Sequence, residues 1–400
     1  MNPANRRSFI KGTIAAAAAG VGVAPNLGNA AAPKIQGFEE EKATSETSRG
    51  WQPVSDRKIR VGIVGYGYCK FGAIFGFQDH PNVEVVAVSD LFPDRCAALA
   101  ERCGCEKTYP SLEELVKDDK VEAVWVATDA PSHCEHTMTC LKHGKHVAVA
   151  VPAVWGSLED AERLYEAVTA SGLHYMMFET SFYHAANHAM RQVYRAGGFG
   201  KVMYAEGAYV HYLPKPLPGY RNWRFGSIPM WYPTHADVYY VGVTGGSFLE
   251  VSCLGIPSLQ SSRQPENNQY KNPFGTQTAL YRTSEGGMAR MLQSRDAPGA
   301  HGGCRIMGQK GSMTTASNYS GKLKELPDLK RPPLPPGMDP GGHGGSHGQL
   351  TEEFVRSILE DRKPAIDIAT ALNMTCGGIV AHQSALKDGE RMKVPQYRWS

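Results

Sequence analysis

In the segment MWYPTHADVYYVG, residues 230–242, a phenol at Tyr232 stands three residues before an imidazole at His235. Histidine is the side chain whose ordinary titration lies nearest neutral pH, so the pair suits proton transfer if both tips face a cleft. The alternative is a histidine satisfied inside a core. Trp223 and Trp231 nearby offer flat apolar faces that would stack on sugar rings or pack a domain boundary. Two further pairs, His184 with His188 and His343 with His347, are spaced four apart. Neither has an obvious third ligand and no CxxC pair occurs, so no metal is expected. A different signal comes from GKHVAVAVPAVWG, residues 144–156. His146 to Val151 reads as a buried parallel strand running out at Pro152 into a loop, where α/β enzymes place their chemistry. Yet Val147 to Trp155 carries no ionisable side chain, so the reaction draws its acid and base from elsewhere or needs none here.

From Lys58 the chain reads as an apolar strand (Ile59 to Val64), a glycine turn, a helix, a second strand (Val83 to Ser89) and then Asp90. Gly65 and Gly67 let the backbone turn tightly and bring N–H groups near a pyrophosphate, whose charge the following helix N-terminus favours. The third glycine of GxGxxG is displaced: Lys70 occupies its place and Gly72 follows two residues later. Asp90, 25 residues beyond Gly65, would accept hydrogen bonds from adenosine ribose hydroxyls and repel a 2′-phosphate. The unit is therefore expected to bind NAD rather than NADP.

The elements that must position these groups follow from periodicity. Further β/α alternation runs through KVEAVWVATDAPSHCEHTMTCLKHGKHVAVAVP, its helix carrying His133 and His136, so a first domain should end near Val151. A helix from Leu158 to Ser171, a short strand in LHYMMFET and a helix in SFYHAANHAMRQVYRAGGFG come next. Four later stretches alternate apolar and polar residues between glycine turns, as an open antiparallel sheet would. An apolar helix is expected after His235, and two more helices, from Leu350 and from Asp367, close the chain. Residues 325–348 form a Pro/Gly-rich loop suited to a lid.

Four hundred residues suit two domains, and 42% hydrophobic with 20% charged residues describe an ordinary globular chain. A formal net charge of +3, without a basic block, argues against nucleic-acid binding. Nine cysteines are an odd number, and Cys103 and Cys105 lie too close for an ordinary bridge, so no disulfide framework is expected. Arg6 and Arg7 precede Phe9, Lys11 and an Ala/Gly-rich run too short to span a bilayer, and small residues follow near Ala30 and Ala32. This pattern predicts a twin-arginine export signal over residues 1–32, a periplasmic destination, no other membrane association, and a linker over 33–55.

With these pieces in order, the chain over about residues 56–395 resembles the Gfo/Idh/MocA family of glucose-fructose oxidoreductase and inositol dehydrogenase. The resemblance implies an α/β Rossmann domain with a parallel sheet (56–152) and an α+β C-terminal domain with an open, mainly antiparallel sheet (153–400). It implies NAD(P) binding and redox chemistry on a small sugar, polyol or glycoside. Family dehydrogenases carry Glu-Lys-Pro after GKHV, the lysine touching the reacting hydroxyl; here Ala150, Val151 and Pro152 stand there. They also tend to carry an aspartate four residues before the histidine, where this chain has Trp231.

One branch lacks the lysine: the NAD-dependent α-N-acetylgalactosaminidases and related redox glycosidases, with EVP, YPTH and a GGHGG loop. This chain has AVP, YPTH at 232–235 and GGHGG at 341–345. In that branch NAD takes hydride from the sugar C3, the ketone acidifies the C2 proton, a base removes it, the C1 group leaves, water adds and the hydride returns. The resemblance implies Tyr183 as that base and His235 as the residue that orients substrate or takes the hydroxyl proton. It sets the sugar against Arg224, Trp231, Tyr232 and His343, and the cofactor against Gly65, Gly67, Tyr68, Asp90, Thr128 and Pro152. A sugar dehydrogenase and a non-catalytic nucleotide-binding protein are the alternatives, and the open sheet face suggests a homodimer or homotetramer.

Overall fold

Apolar runs in the first half pair as a parallel sheet. The computed structural model describes residues 39–212, 214–215, 217–298 and 302–398; Arg6, Arg7 and the rest of the expected export signal lie outside them. Strands β1 (Ile59–Val64), β2 (Val83–Ser89), β3 (Thr108–Tyr109), β4 (Ala123–Val126), β5 (His146–Ala150) and β6 (Tyr175–Phe178) lie in the order β3-β2-β1-β4-β5-β6. All their pairings are parallel. β4 and β6 are buried at every residue, as strands covered on both faces must be. The sixth strand follows Pro152 in sequence, so the parallel sheet extends past that residue.

The crossover helices carry ordinary end signals. Pro93–Cys103 has proline in its first turn and stops at Gly104, whose φ is 61°. Leu158–Ser171 begins where the Ser157 hydroxyl accepts the Asp160 N–H at 3.0 Å. All nine cysteines are free. Among the described residues no helix is long and apolar enough to cross a membrane.

The second sheet contains β7 (Val202–Val210), β8 (Phe248–Pro257), β9 (Phe274–Thr283), β10 (Met288–Ser294), β11 (Gly303–Gly308), β12 (Gly311–Thr314), β13 (Ser317–Gly321) and β14 (Met392–Lys393). Their order is β13-β12-β11-β7-β10-β9-β8-β14. Every pairing is antiparallel except β7 with β10. That parallel pair requires a long crossover, and residues 211–247, which include Trp223, Arg224, Tyr232 and His235, provide it. The inner face of the sheet grips this crossover: buried Gln277 accepts the Met230 N–H at 3.3 Å, and buried Gln293 donates to the Pro233 carbonyl at 3.2 Å. The final helix, Ile368–Ala385, is buried along nearly its whole length and is capped by Asp367, whose carboxylate accepts the Thr370 N–H at 2.8 Å.

Two expectations change in detail. The apolar helix expected after His235 is instead two single turns, Thr234–Asp237 and Val241–Thr244. The run Val238-Tyr239-Tyr240-Val241 is β-branched and aromatic, and such side chains lose rotamer freedom in a helix. The segment 39–55, read as a linker, is irregular but tied down. Glu41 and Gly341 exchange backbone hydrogen bonds at 3.0 Å, and the Trp51 indole donates to Glu352 at 2.9 Å. The Pro/Gly-rich loop lies against the helical turn Phe71–Ile74 that follows the glycine turn, with the His347 ring stacked on Phe75 at 4.1 Å.

Candidate active site

The carboxyl ends of the parallel strands converge on one cleft, as open α/β sheets arrange their ligand sites. β1 opens into the glycine turn. Gly65 has a φ of 102°, and a Cβ there would lie 2.5 Å from the Ala127 carbonyl oxygen, so only glycine fits. A Cβ on Gly72 would collide with the Gly65 carbonyl, so this displaced glycine still allows close packing of the short helix on the turn. At Gly67 a Cβ would meet no atom within 4 Å, which leaves the turn open to a ligand. Asp90, after β2, accepts the Tyr66 N–H at 2.6 Å and the Phe92 N–H at 2.9 Å, fixing the turn from the neighbouring strand. These residues fit a dinucleotide: the turn offers its backbone to the diphosphate, and the buried Asp90 stands where the adenosine ribose would lie.

Thr128 and Pro152 come from the ends of β4 and β5. The Thr128 hydroxyl bonds His136 at 2.9 Å, and His133 Nδ1 donates to the Pro152 carbonyl at 2.8 Å. The two histidines of the intervening helix therefore hold the loops that follow the strands. Tyr68 is half exposed beside the turn. Ala150 and Val151 line the cleft as an apolar wall.

The cleft is partly open to solvent and holds about 60 Å³ of cavity volume. His235, Tyr232, Arg224 and His343 all line it, and Trp223 joins them. The decisive contact is one the sequence analysis missed. Glu179, one residue beyond β6 and fully buried, accepts a hydrogen bond from His235 Nδ1 at 2.7 Å. Its Oε1 also accepts the Ser181 N–H at 2.8 Å. Burial pushes this carboxyl up, but the adjoining imidazole and its hydrogen bond outweigh burial and hold it below the ordinary glutamate range. An acid at the carboxyl end of a parallel strand was the available signal, in the FET that closes LHYMMFET. The His235 ring packs against Tyr209 at 4.5 Å and Tyr232 at 5.2 Å between centroids. Burial raises both phenols, so neither is an easy base.

Two expected residues are placed elsewhere. Tyr183 is buried and absent from the cleft lining; its ring packs on Phe182, with the Arg191 guanidinium 5.6 Å away, and burial pushes its phenol up. The short turn Thr180–Tyr183 points Thr180 to the cleft and leaves Tyr183 in the core. Trp231 also misses the cleft, because it packs on Trp155 and Tyr270, each at 5.7 Å. The histidine pairs have other uses. His343 Nδ1 bonds His347 Nε2 at 2.8 Å, whereas His184 and His188 turn to Tyr239 and Arg191. Among the described residues one group, Cys134, Glu135 and Asp160, brings three ligand-type atoms together, away from the cleft lining.

Residues 59–179 match the GFO_IDH_MocA model, described as an oxidoreductase family with an NAD-binding Rossmann fold. A glycosyl hydrolase family 109 protein 1 of Bacteroides thetaiotaomicron is 32% identical over 176 residues, 42% of this chain and 38% of that protein. The matched part of the chain thus spans well under half the length of such relatives. A glycosyl hydrolase family 109 protein of Streptomyces niveus is 23% identical over 98% of this chain and 90% of its own. Among solved structures, levoglucosan dehydrogenase in complex with NADH and levoglucosan shares the fold, with a TM-score of 0.69 and 19% identity over 85% of this chain and 100% of that one. Residues 59–179 are therefore similar to the NAD-binding Rossmann domain of the Gfo/Idh/MocA oxidoreductase family.

Proposed function

We propose that the protein is an NAD-dependent enzyme acting on a carbohydrate, and that it cleaves a glycosidic bond without net redox change. The observation that carries this reading is His235, anchored from behind by buried Glu179, lining one cleft with Ala150 and Val151, which offer no lysine to a reacting hydroxyl. NAD held by the Gly65–Gly67 turn and Asp90 would supply a reversible hydride acceptor for the sugar C3. His235, fixed through Nδ1 by Glu179, takes the C3 hydroxyl proton through its other ring nitrogen. The C3 ketone acidifies the C2 proton. With Tyr183 turned into the core, we assign that proton to His343, which lines the same cleft. Loss of the C1 group, which leaves with a proton as an alcohol, gives an enone; water adds at C1 as a proton returns to C2, and the borrowed hydride would return to C3 together with the hydroxyl proton, so that nothing is oxidised overall. The near full-length likeness to a glycosyl hydrolase family 109 protein supports a glycosidic substrate.

Substrate cleavage in deuterated water should place deuterium at C2 of the released sugar with no accumulation of reduced nicotinamide. Net hydride transfer from a sugar hydroxyl is the second reading, favoured by the same imidazole–carboxylate pair; stoichiometric NADH from a free sugar, with no aglycone released from any glycoside, would establish it instead. We also infer export through the twin-arginine route from Arg6 and Arg7. Replacing both by lysine should leave the precursor in the cytoplasm, and normal periplasmic accumulation would refute the signal.

A further inference from the structure

Three guanidinium groups converge on the cleft, yet among the described residues no side chain lining it is acidic. Arg263 ends the turn Ser261–Arg263 that follows β8; it is only 3% exposed, and its Nε is buried without a hydrogen-bond partner. Arg295 follows β10 and is 6% exposed. Its guanidinium carbon lies 5.0 Å from the Tyr209 ring centroid and 5.6 Å from that of Tyr232. The arginines that form ion pairs among the described residues are others. The neighbouring acid, Asp296, is engaged by Ser258 at 3.0 Å and Gln260 at 2.8 Å. Burial, and then the charge of Arg295, push Arg263 down to about 10, against a smaller upward pull from Asp296.

Burying two like charges with no carboxylate in ion-pair contact is costly, and removing such groups from water is repaid only when an opposite charge with matching hydrogen bonds arrives. A guanidinium fork suits oxyanions held through two oxygens. The pair lies on the substrate side. Arg295 rests on Tyr209, and Tyr209 rests on His235, so one aromatic ring separates the cationic end from the proton-transfer group. Arg224 differs, because its Nη2 reaches Cys69 in the glycine-turn segment at 3.8 Å and so faces the cofactor side.

We propose that the substrate sugar carries an anionic oxygen group, a carboxylate or a sulfate ester, and that Arg263 and Arg295 hold it. The inference rests on the carbohydrate reading above and narrows it to acidic sugars.

The test is calorimetric binding to the protein as purified and after loading with NADH, so that no hydride leaves the substrate. The probes are methyl glycosides of a uronic acid, of the matching hexose 6-sulfate and of the neutral hexose, in the gluco and galacto series. One acidic probe should bind at least roughly tenfold more tightly than its neutral counterpart, and which one does so separates carboxylate from sulfate. Arg263→Met and Arg295→Met should bring that preference to within about twofold, while melting behaviour and NADH affinity stay as in the parent. Should either methionine variant fail to fold, Arg263→Lys and Arg295→Lys keep the charge, and each should lose part of the preference. A neutral glycoside bound as tightly as both acidic ones would overturn the inference and leave the carbohydrate reading standing. A preference that survives in the Arg263→Met/Arg295→Met double variant would overturn it too. Failure of every sugar to bind would bring down both.

Discussion

Glu179 Oε1 stands 2.7 Å from His235 Nδ1, joining the carboxyl end of the parallel sheet to the crossover that begins the second sheet. The two residues are 56 apart in sequence and meet because β6 ends where the inner face of the second sheet, through Gln277 and Gln293, holds residues 230–233. The pair fixes which imidazole nitrogen can take a proton, and with it the direction in which the proton moves.

Glu179→Gln should therefore lower kcat by about 10²-fold with little change in KM or NAD affinity. Loss of the carboxylate removes the acceptor that fixes the ring through Nδ1, and Glu179→Asp, which keeps an acceptor, should restore part of the rate. A Glu179→Gln variant with the parent's kcat, or an aspartate variant no better than the glutamine one, would mean that Glu179 only fills space.

Asp90→Ser should weaken NAD binding by about 1.5 to 3 kcal/mol, the scale of charged hydrogen bonds to a ligand. Part of the loss is indirect, because Asp90 also holds the Tyr66 and Phe92 N–H groups. Fluorescence titration reads it directly. Unchanged affinity, or a native preference for NADP, would show that the carboxylate does not face the ribose.

The two sheets and the nucleotide turn were legible in the sequence, because apolar runs, alternation and glycine spacing are local signals. Parts of the site were not. Tyr183 and Thr180 are three residues apart in one turn, and which of them reaches the cleft depends on Arg191 and Phe182 packing behind it. Arg263 lies in an irregular segment with no periodicity, so nothing local marks it as part of the cleft. Glu179 was readable as a strand-end acid, but its partner became evident only once the crossover was in place.

Asp237, two residues beyond His235, is fully buried and neither carboxyl oxygen has a partner. Burial first, and then the charge of Glu179, raise this carboxyl well above the ordinary aspartate range. Its folded pKa exceeds the unfolded value, so the unfolded chain binds fewer protons above about pH 4, and folding stability is lost as pH rises through that window. Asp237→Asn removes the titration. The variant should gain on the parent by up to about 1.4 kcal/mol per pH unit as pH rises from about 4. Urea melts at several pH values check this, and a difference independent of pH would refute it.

The outer face of the second sheet carries Leu254 and Ile256 on β8, Leu280 on β9, Met288 on β10 and Met307 on β11, each at least 40% exposed. β8, β9 and β10 are adjacent, and Leu280 lies opposite Ser252 on one side and Arg290 on the other, so these residues share one face. Charged pairs such as Glu206 with Arg290, at 3.0 Å, frame the apolar positions. An apolar face with a polar frame on an open sheet suits a second copy related by a two-fold axis. We propose a homodimer or homotetramer built on this face. Light scattering should find the parent protein as such an assembly and the Leu254→Lys/Leu280→Lys variant as a monomer, because two lysines on each copy would set like charges against each other across the axis. Neither substitution touches the cleft, so NAD binding should persist in the monomer. A parent protein that is already monomeric, or a variant whose mass is unchanged, would place the contact on another surface.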